Sequence, residues 1–246
     1  MISYAQVLED VILNRALRHV QNGFYIDIGG YHPERDSVTK YFYDQGWRGI
    51  NVEPGANYFP EFARLRPRDT NLQVAVSDHE GEAIFYEMDQ TSTLEACFAD
   101  RQPDAQTGQY TVPLTTLKSL WDEHAPDEVH FLKIDVEGHE EAVLRGADLK
   151  RHRPWVMVVE AKEPNRLDIP THDKWEHLVT GPGYTFAYAD PLNRYYVANE
   201  HRDLLQYFLQ PIDEYVRAND IWQRMDLERR LDEANQRIRQ LESATA

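Results

Sequence analysis

Short apolar runs ending in glycine or proline alternate with amphipathic stretches along most of this 246-residue chain. Phe24-Tyr25-Ile26-Asp27-Ile28, closed by two glycines, reads as a first strand, and Gly49 to Pro54 reads as a second. Leu72 to Ser77 and Val129 to Val136 read as the third and fourth. Trp155 to Glu160 is apolar at nearly every position, the pattern of a strand covered on both faces of a parallel sheet. Gly81 to Met88 alternates enough for a further strand, and residues 183–190 and 194–199 form a hairpin through Asp190-Pro191-Leu192-Asn193. A helix is expected at 3–20, with Ser3 as cap, Gln6 at the capping-box position and Val7, Val11, Ile12 and Leu17 as its apolar stripe. Others are expected near 36–46, 57–66, 114–124, 140–149 and 171–180. Residues 89–109 are polar and broken by Pro103 and Gly108, a length of loop that often serves as a lid. Helices alternating with strands predict a doubly wound, mostly parallel α/β sheet with a C-terminal antiparallel hairpin, and ligands at the C-terminal strand ends.

From residue 201 the pattern changes. Leu227, Leu231, Ala234, Ile238 and Leu241 follow a 4-3-4-3 spacing among many charges, the seam of a coiled coil. The organisation expected is one domain over 1–200 and a helical tail over 201–246. Such a tail suits self-association or contact with a partner, and equally a single amphipathic helix.

Charge narrows the partners. Lys and Arg number 26 against 42 Asp and Glu, a net charge of -16 that repels phosphate backbones and anionic lipid heads, so no nucleic-acid partner is expected. Cys97 is the only cysteine, which excludes an intrachain disulfide and a cysteine zinc site. No segment approaches the roughly 18 apolar residues of a membrane span, and no basic leader precedes the first helix; a cytoplasmic protein is expected.

The glycines after Asp27 let the backbone approach a ligand closely, and the acid suits a cationic amine. His32 stands where a G-x-G-x-x-G motif would place its third small residue, which argues against a dinucleotide. Glu53 ends the second strand twenty-six residues after Asp27, near the offset of about 20 at which an acid holds a ribose diol.

With these residues in place the chain resembles the FkbM-type S-adenosylmethionine (SAM)-dependent methyltransferases over most of residues 3–200. The likeness is carried by Ser-Tyr-Ala-Gln with Glu-Asp (3–6, 9–10), Gly-Phe-Tyr-Ile-Asp-Ile-Gly (23–29) and Asp-Ser-Val-Thr (36–39). It continues in Gly-Trp-Arg-Gly-Ile-Asn-Val-Glu-Pro (46–54), Ala-Val-Ser-Asp (75–78) and Lys-Ile-Asp-Val-Glu-Gly-His-Glu (133–140). The resemblance implies a class I (Rossmann-like) methyltransferase fold with SAM across the ends of the first two strands. Asp27 and Gly29 would line its methionine part, Glu53 its ribose, and Ser77 and Asp78 its adenine. Gln6 would cover the cofactor, and Ser37 and Asp135 complete the implied cofactor set.

Asp135-Val136-Glu137-Gly138-His139 follows the fourth strand, where such enzymes face the methyl donor. Two carboxylates and an imidazole suit holding a hydroxyl and removing its proton, with His139 the natural base. Glu160 ends the next strand. Asp135 and Glu160 either hold a divalent ion such as Mg²⁺ or hydrogen-bond the acceptor without metal, the second being preferred. The expected activity is O-methylation of a sugar hydroxyl in a bacterial surface glycan, the sugar being implied by the family likeness alone. The alternatives are a small metabolite or lipid-linked acceptor, and a SAM-binding scaffold that organises glycosyltransferases through the tail.

Overall fold

The structure is a computed structural model that describes residues 1–88, 90–209, 227, 229–231, 234, 235, 237 and 238. Tyr4–Leu209 is one compact unit, and Met1–Ser3 with Gln210–Ala246 is a second. In the second unit the described tail residues are helical, and Leu227, Leu231 and Ile238 are exposed. Leu241, the last position of the expected seam, lies outside the described residues.

The first unit is built on a seven-stranded sheet. In chain order its strands are β1 (Phe24–Ile28), β2 (Arg48–Val52), β3 (Thr70–Leu72), β7 (Phe131–Ile134), β8 (Val156–Glu160), β11 (Tyr184–Ala189) and β12 (Asn193–Ala198). Their spatial order is β11-β12-β8-β7-β1-β2-β3. The five strands from β8 to β3 pair in parallel, while β12 runs antiparallel to both β8 and β11. Strand order reverses between β1 and β7, so connections leave in opposite directions there and open a crevice at the C-terminal ends. The expected hairpin is therefore present, with its strand β12 inserted against β8.

Alternation on β1 sorts the two faces. Ile26 and Ile28 join Leu132, Ile134, Met157 and Val159 in a core closed by Leu120 and Trp121 of α5 (Leu117–His124), Val143 and Leu144 of α6 (Glu140–Arg145), and Val179 of α7 (Glu176–Thr180). Tyr25 points the other way and stacks on Phe131 at 5.5 Å, with Phe42 of α2 (Lys40–Asp44) 4.9 Å from the same ring. A further helix, α3 (Phe59–Leu65), buries Phe62.

Several local expectations are corrected. The first helix, α1, spans Glu9–Leu17 rather than 3–20. Asp10 accepts from the Tyr4 N–H at 2.8 Å and Glu9 from the Val7 N–H at 2.9 Å, while Leu8 takes φ 71°, so the side chains fold residues 4–8 into an arm instead of a helical turn. The expected third strand divides into β3 and β4 (Ala75–Ser77), and β4 leaves the large sheet to pair with β6 (Gly108–Thr116). β6 also pairs antiparallel with β5 (Gly81–Glu87), its alternation having been masked in the sequence by Pro113 and by the helix that follows. The polar stretch 89–109 contains a short helix, α4 (Ala96–Ala99), and a hairpin of β9 (Lys162–Glu163) and β10 (Arg166–Pro170) follows β8. The unit passes the expected boundary at 200 because Leu204 and Phe208 are buried, Phe208 beside Tyr195.

Candidate functional site

A cavity of about 410 Å³ opens at the C-terminal ends of β1, β2, β7 and β8. Its size and its mix of apolar walls with a few convergent polar groups are those of a small-molecule site. Gln6, Gly29, Glu53, Asp135, Glu137, His139 and Glu160 line it, so seven of the residues singled out in the sequence meet in one place.

Gly29 carries φ +81°, and a Cβ there would come 1.7 Å from the Asp135 carbonyl oxygen. Only glycine permits β1 and β7 to exit this close together. Asp27, expected on the cavity wall, lies behind it. It is 1% exposed, accepts from the Thr39 hydroxyl at 3.2 Å and sits 3.5 Å from Lys133 Nζ. Asp27 and Lys133 are register partners on adjacent parallel strands, so their side chains point to one face. Lys133 Nζ also donates to the Gly29 carbonyl at 2.7 Å and lies 3.3 Å from Asp135. Burial works against the lysine charge, yet Asp135 and Asp27 hold its pKa above the ordinary value; burial in turn pushes Asp27 up. Lys133 thus fixes the exits of both strands.

On the other wall, the Glu53 carboxylate accepts from the Gly55 N–H at 2.6 Å and the Tyr31 N–H at 2.7 Å. Each oxygen retains a lone pair, which leaves the group rigid and still able to accept from a diol. Burial pushes its pKa up to about 7 against those two hydrogen bonds. Val74, Ala75, Val76, Phe85 and Leu94 form an apolar strip of the same cavity, suited to a flat base.

Opposite stand three acids. Asp135, Glu137 and Glu160 each offer a carboxylate oxygen, all within 4.8 Å of one another. Burial, then Asp135 and Glu140, pushes Glu137 well above the usual carboxylate range; burial, then Asp135, Glu137 and Glu140, does the same to Glu160. Glu160 Oε2 is buried and has no hydrogen-bond partner among the described residues. Glu140 begins α6 and accepts from the Val136 and Gly138 N–H groups at 3.1 and 3.0 Å, which shapes the turn carrying Glu137 at φ 52°.

His139 faces the cavity with both ring nitrogens engaged. Nδ1 is 2.7 Å from Glu95 Oε1 and Nε2 is 3.0 Å from the Ser77 hydroxyl. The expected base is thus bracketed by Glu95 and Ser77, one on each side of its ring. Ser77 is buried and, with Asp78 and Ser37, is absent from the wall. Asp78 binds His79 at 2.6 Å on the surface, and Ser37 accepts from the fully buried Arg66 at 3.0 Å. None of these three, nor Asp27, lines the cavity.

Sequence reasoning missed Lys133, although a lysine inside the apolar run Phe131-Leu132-Lys133-Ile134 was itself a signal of a paired buried charge. It also missed Glu95, Tyr31, Tyr58, Asn165 and Leu192, which reach the cavity or its network from connecting segments, and Leu167, which reaches it from β10.

Known proteins supply the family. Among solved structures the chain is similar to a methyltransferase FkbM of Methylobacillus flagellatus (16% identity, TM-score 0.44, covering 72% of this chain and 43% of that one). It is also similar to a TehB-like SAM-dependent methyltransferase of Corynebacterium glutamicum (8% identity, TM-score 0.44, covering 77% and 86%). A third is the 1,6-didemethyltoxoflavin-N1-methyltransferase of Burkholderia thailandensis, solved with bound 1,6-didemethyltoxoflavin and S-adenosylhomocysteine (13% identity, TM-score 0.42, covering 77% of this chain and 76% of that one). The chain thus spans less than half of the Methylobacillus protein, and no curated protein sequence matches it. The model of the methyltransferase FkbM domain matches residues 27–210, about three quarters of the chain and all of the strands that build the cavity except the first residues of β1. The chain belongs to the FkbM methyltransferase domain family.

Proposed function

We propose that the cavity binds SAM and catalyses O-methylation of a sugar hydroxyl in the biosynthesis of a bacterial surface glycan. The observation that carries the reading is the division of one cavity into two walls: the rigid acceptor Glu53 with an apolar strip on one side, and three convergent carboxylates on the other. SAM fits the first wall. Glu53 would take the ribose diol, the strip formed by Val74 to Val76 the adenine, and the Gly29 backbone would lie along the methionine part under Gln6. When bound, SAM supplies an activated methyl group on a sulfonium.

The chain has to align the acceptor oxygen and receive its proton. Asp135 is fixed by Lys133, while Glu137 and Glu160, whose proton affinity is raised by burial and by the neighbouring acids, orient the hydroxyl and take its proton. The C–O bond forms as the S–CH₃ bond breaks, leaving S-adenosylhomocysteine and one more protonated carboxyl. His139 passes from base to support.

The three acids are also a donor set for Mg²⁺. We advance the metal-free form, because Lys133, 3.3 Å from Asp135, already sets a positive charge beside the cluster. The expected division into a catalytic domain and a tail serving self-association, or a glycosyltransferase partner, accompanies this reading. Incubation with methyl-labelled SAM and a panel of glycans, small metabolites and lipid-linked sugars tests it: label in a sugar methyl ether supports it, and label confined to the other acceptors or to none overturns it.

A further inference from the structure

The segment between β5 and β6 is docked onto the turn that follows β7 by three contacts. Thr93 Oγ1 donates to the Glu137 carbonyl at 2.8 Å. Glu95 Oε1 meets His139 Nδ1 at 2.7 Å. The Phe98 ring lies over Gly138, where φ is +98° and a Cβ would come 2.2 Å from Phe98 Cε2. The three contacts are made to three consecutive residues, and the first of these, Glu137, carries an acid of the acceptor wall. Glu95 is the charged member, and its backbone N–H is in turn held by Thr93 Oγ1 at 3.0 Å.

The chemistry of this network fixes a tautomer. An ionised carboxylate only accepts, so His139 Nδ1 carries the hydrogen. In the neutral ring Nε2 must then accept, and Ser77 Oγ at 3.0 Å is the donor. Ser77 also lies 3.4 Å from Asp78 Oδ1, a longer contact to a carboxylate already bound by His79 at 2.6 Å. The order Ser77–His139–Glu95 is that of a nucleophile, base and orienting acid. Ser77, however, is 2% exposed and does not face the cavity, so no substrate reaches its hydroxyl. What the chain of hydrogen bonds does join is three separate segments: the loop carrying Glu95, the turn carrying Glu137 and His139, and the end of β4 beside the apolar strip.

We propose that Glu95 is a positioning residue of the methyl-transfer site, holding His139 as its Nδ1–H tautomer and so tying the docking of residues 93–98 to the placement of Glu137 and of the β4 wall. The proposal rests on the methyl-transfer reading for its effect on turnover, and on the geometry alone for its effect on His139. Nothing in the sequence marks Glu95, which stands 44 residues from its partner.

The test compares Glu95→Gln with Glu95→Ala in the full chain. A glutamine oxygen can still accept from Nδ1–H; alanine cannot. Long-range ¹H–¹⁵N spectra of the imidazoles, with the His139 signal assigned from a His139→Gln difference, read the tautomer directly. The Nδ1–H form is expected in the wild type and in Glu95→Gln, and the Nε2–H form in Glu95→Ala. Methyl transfer from labelled SAM should fall roughly 10–100-fold in Glu95→Ala through kcat, and recover in Glu95→Gln, the range expected when a reacting group is displaced. Glu95 is half-exposed, so both variants fold. An unchanged tautomer in Glu95→Ala, or a Glu95→Gln variant as impaired as Glu95→Ala, overturns the proposal. If the wild type transfers no methyl group, the functional reading fails, and the tautomer spectra still decide the role of Glu95.

Discussion

Lys133 Nζ and Asp27 Oδ1 face each other 3.5 Å apart across the neighbouring strands β7 and β1, both nearly sealed from solvent. A pair in that position gives its charges to the framework rather than to a ligand. Without Asp27, Lys133 keeps Asp135 at 3.3 Å as its carboxylate partner, while the buried Thr39 hydroxyl loses its acceptor. Asp27→Ala is therefore expected to cost about 1–3 kcal/mol of stability in urea unfolding.

Glu53 behaves differently because its carboxylate opens onto the cavity. Glu53→Ala should weaken SAM binding by roughly 1–3 kcal/mol in calorimetry, the loss of a charged acceptor. Its effect on unfolding should be smaller than that of Asp27→Ala, since no buried cation loses a carboxylate partner.

Stability should depend on pH in a stated direction. Burial pushes Glu9 up to about 8 and Glu53 and Glu140 up to about 7, from an ordinary value of 4.5. Each acid binds its proton more tightly folded than unfolded, so the stabilisation is fully present below the unfolded value and is lost as pH rises through the folded one. The melting temperature should fall between about pH 5 and pH 8. Glu9→Gln, which can keep the contact with Asn193 at 3.1 Å, should make that fall shallower. Each tenfold difference in proton affinity between the folded and unfolded chain is worth about 1.4 kcal/mol, and the glutamine has no proton to bind.

The acceptor wall should separate from the cofactor wall in kinetics. Glu137→Gln and Glu160→Gln should keep SAM affinity and lose roughly 10²–10⁴ in kcat, the usual range for a general base. Prior treatment with a chelator should leave wild-type activity unchanged; a loss restored by Mg²⁺ would move the mechanism to a metal-assisted one.

The strands β1, β2, β7 and β8 and the final hairpin were legible in the sequence because each is an apolar run closed by glycine, proline or a polar turn. β6 was not, since Pro113 interrupts its alternation and Leu114 opens what reads as the next helix. Gly29, Glu53, Asp135, Glu137 and Glu160 could be placed from strand ends alone, which the topology carries to one crevice. Asp27 could not, because side-chain direction on β1 decides between cavity and framework and turns on its pairing with Lys133. His139 was found as a cavity residue, but its engagement depends on Glu95 and Ser77, 44 and 62 residues away, and such contacts leave no local pattern.

The tail bears on assembly. Ending the chain at Leu209, the last residue of the compact unit, should leave SAM binding intact and lower the oligomeric order seen by light scattering. Loss of cofactor binding on truncation would show that the tail supports the domain.

The most direct test of the account is calorimetric titration of the full chain with SAM, S-adenosylhomocysteine and NAD in parallel. Saturable binding of the first two is the result the Glu53 wall predicts, and no binding of NAD is the result predicted by His32 in place of a third small residue. Clear binding of NAD with no heat from SAM would contradict it.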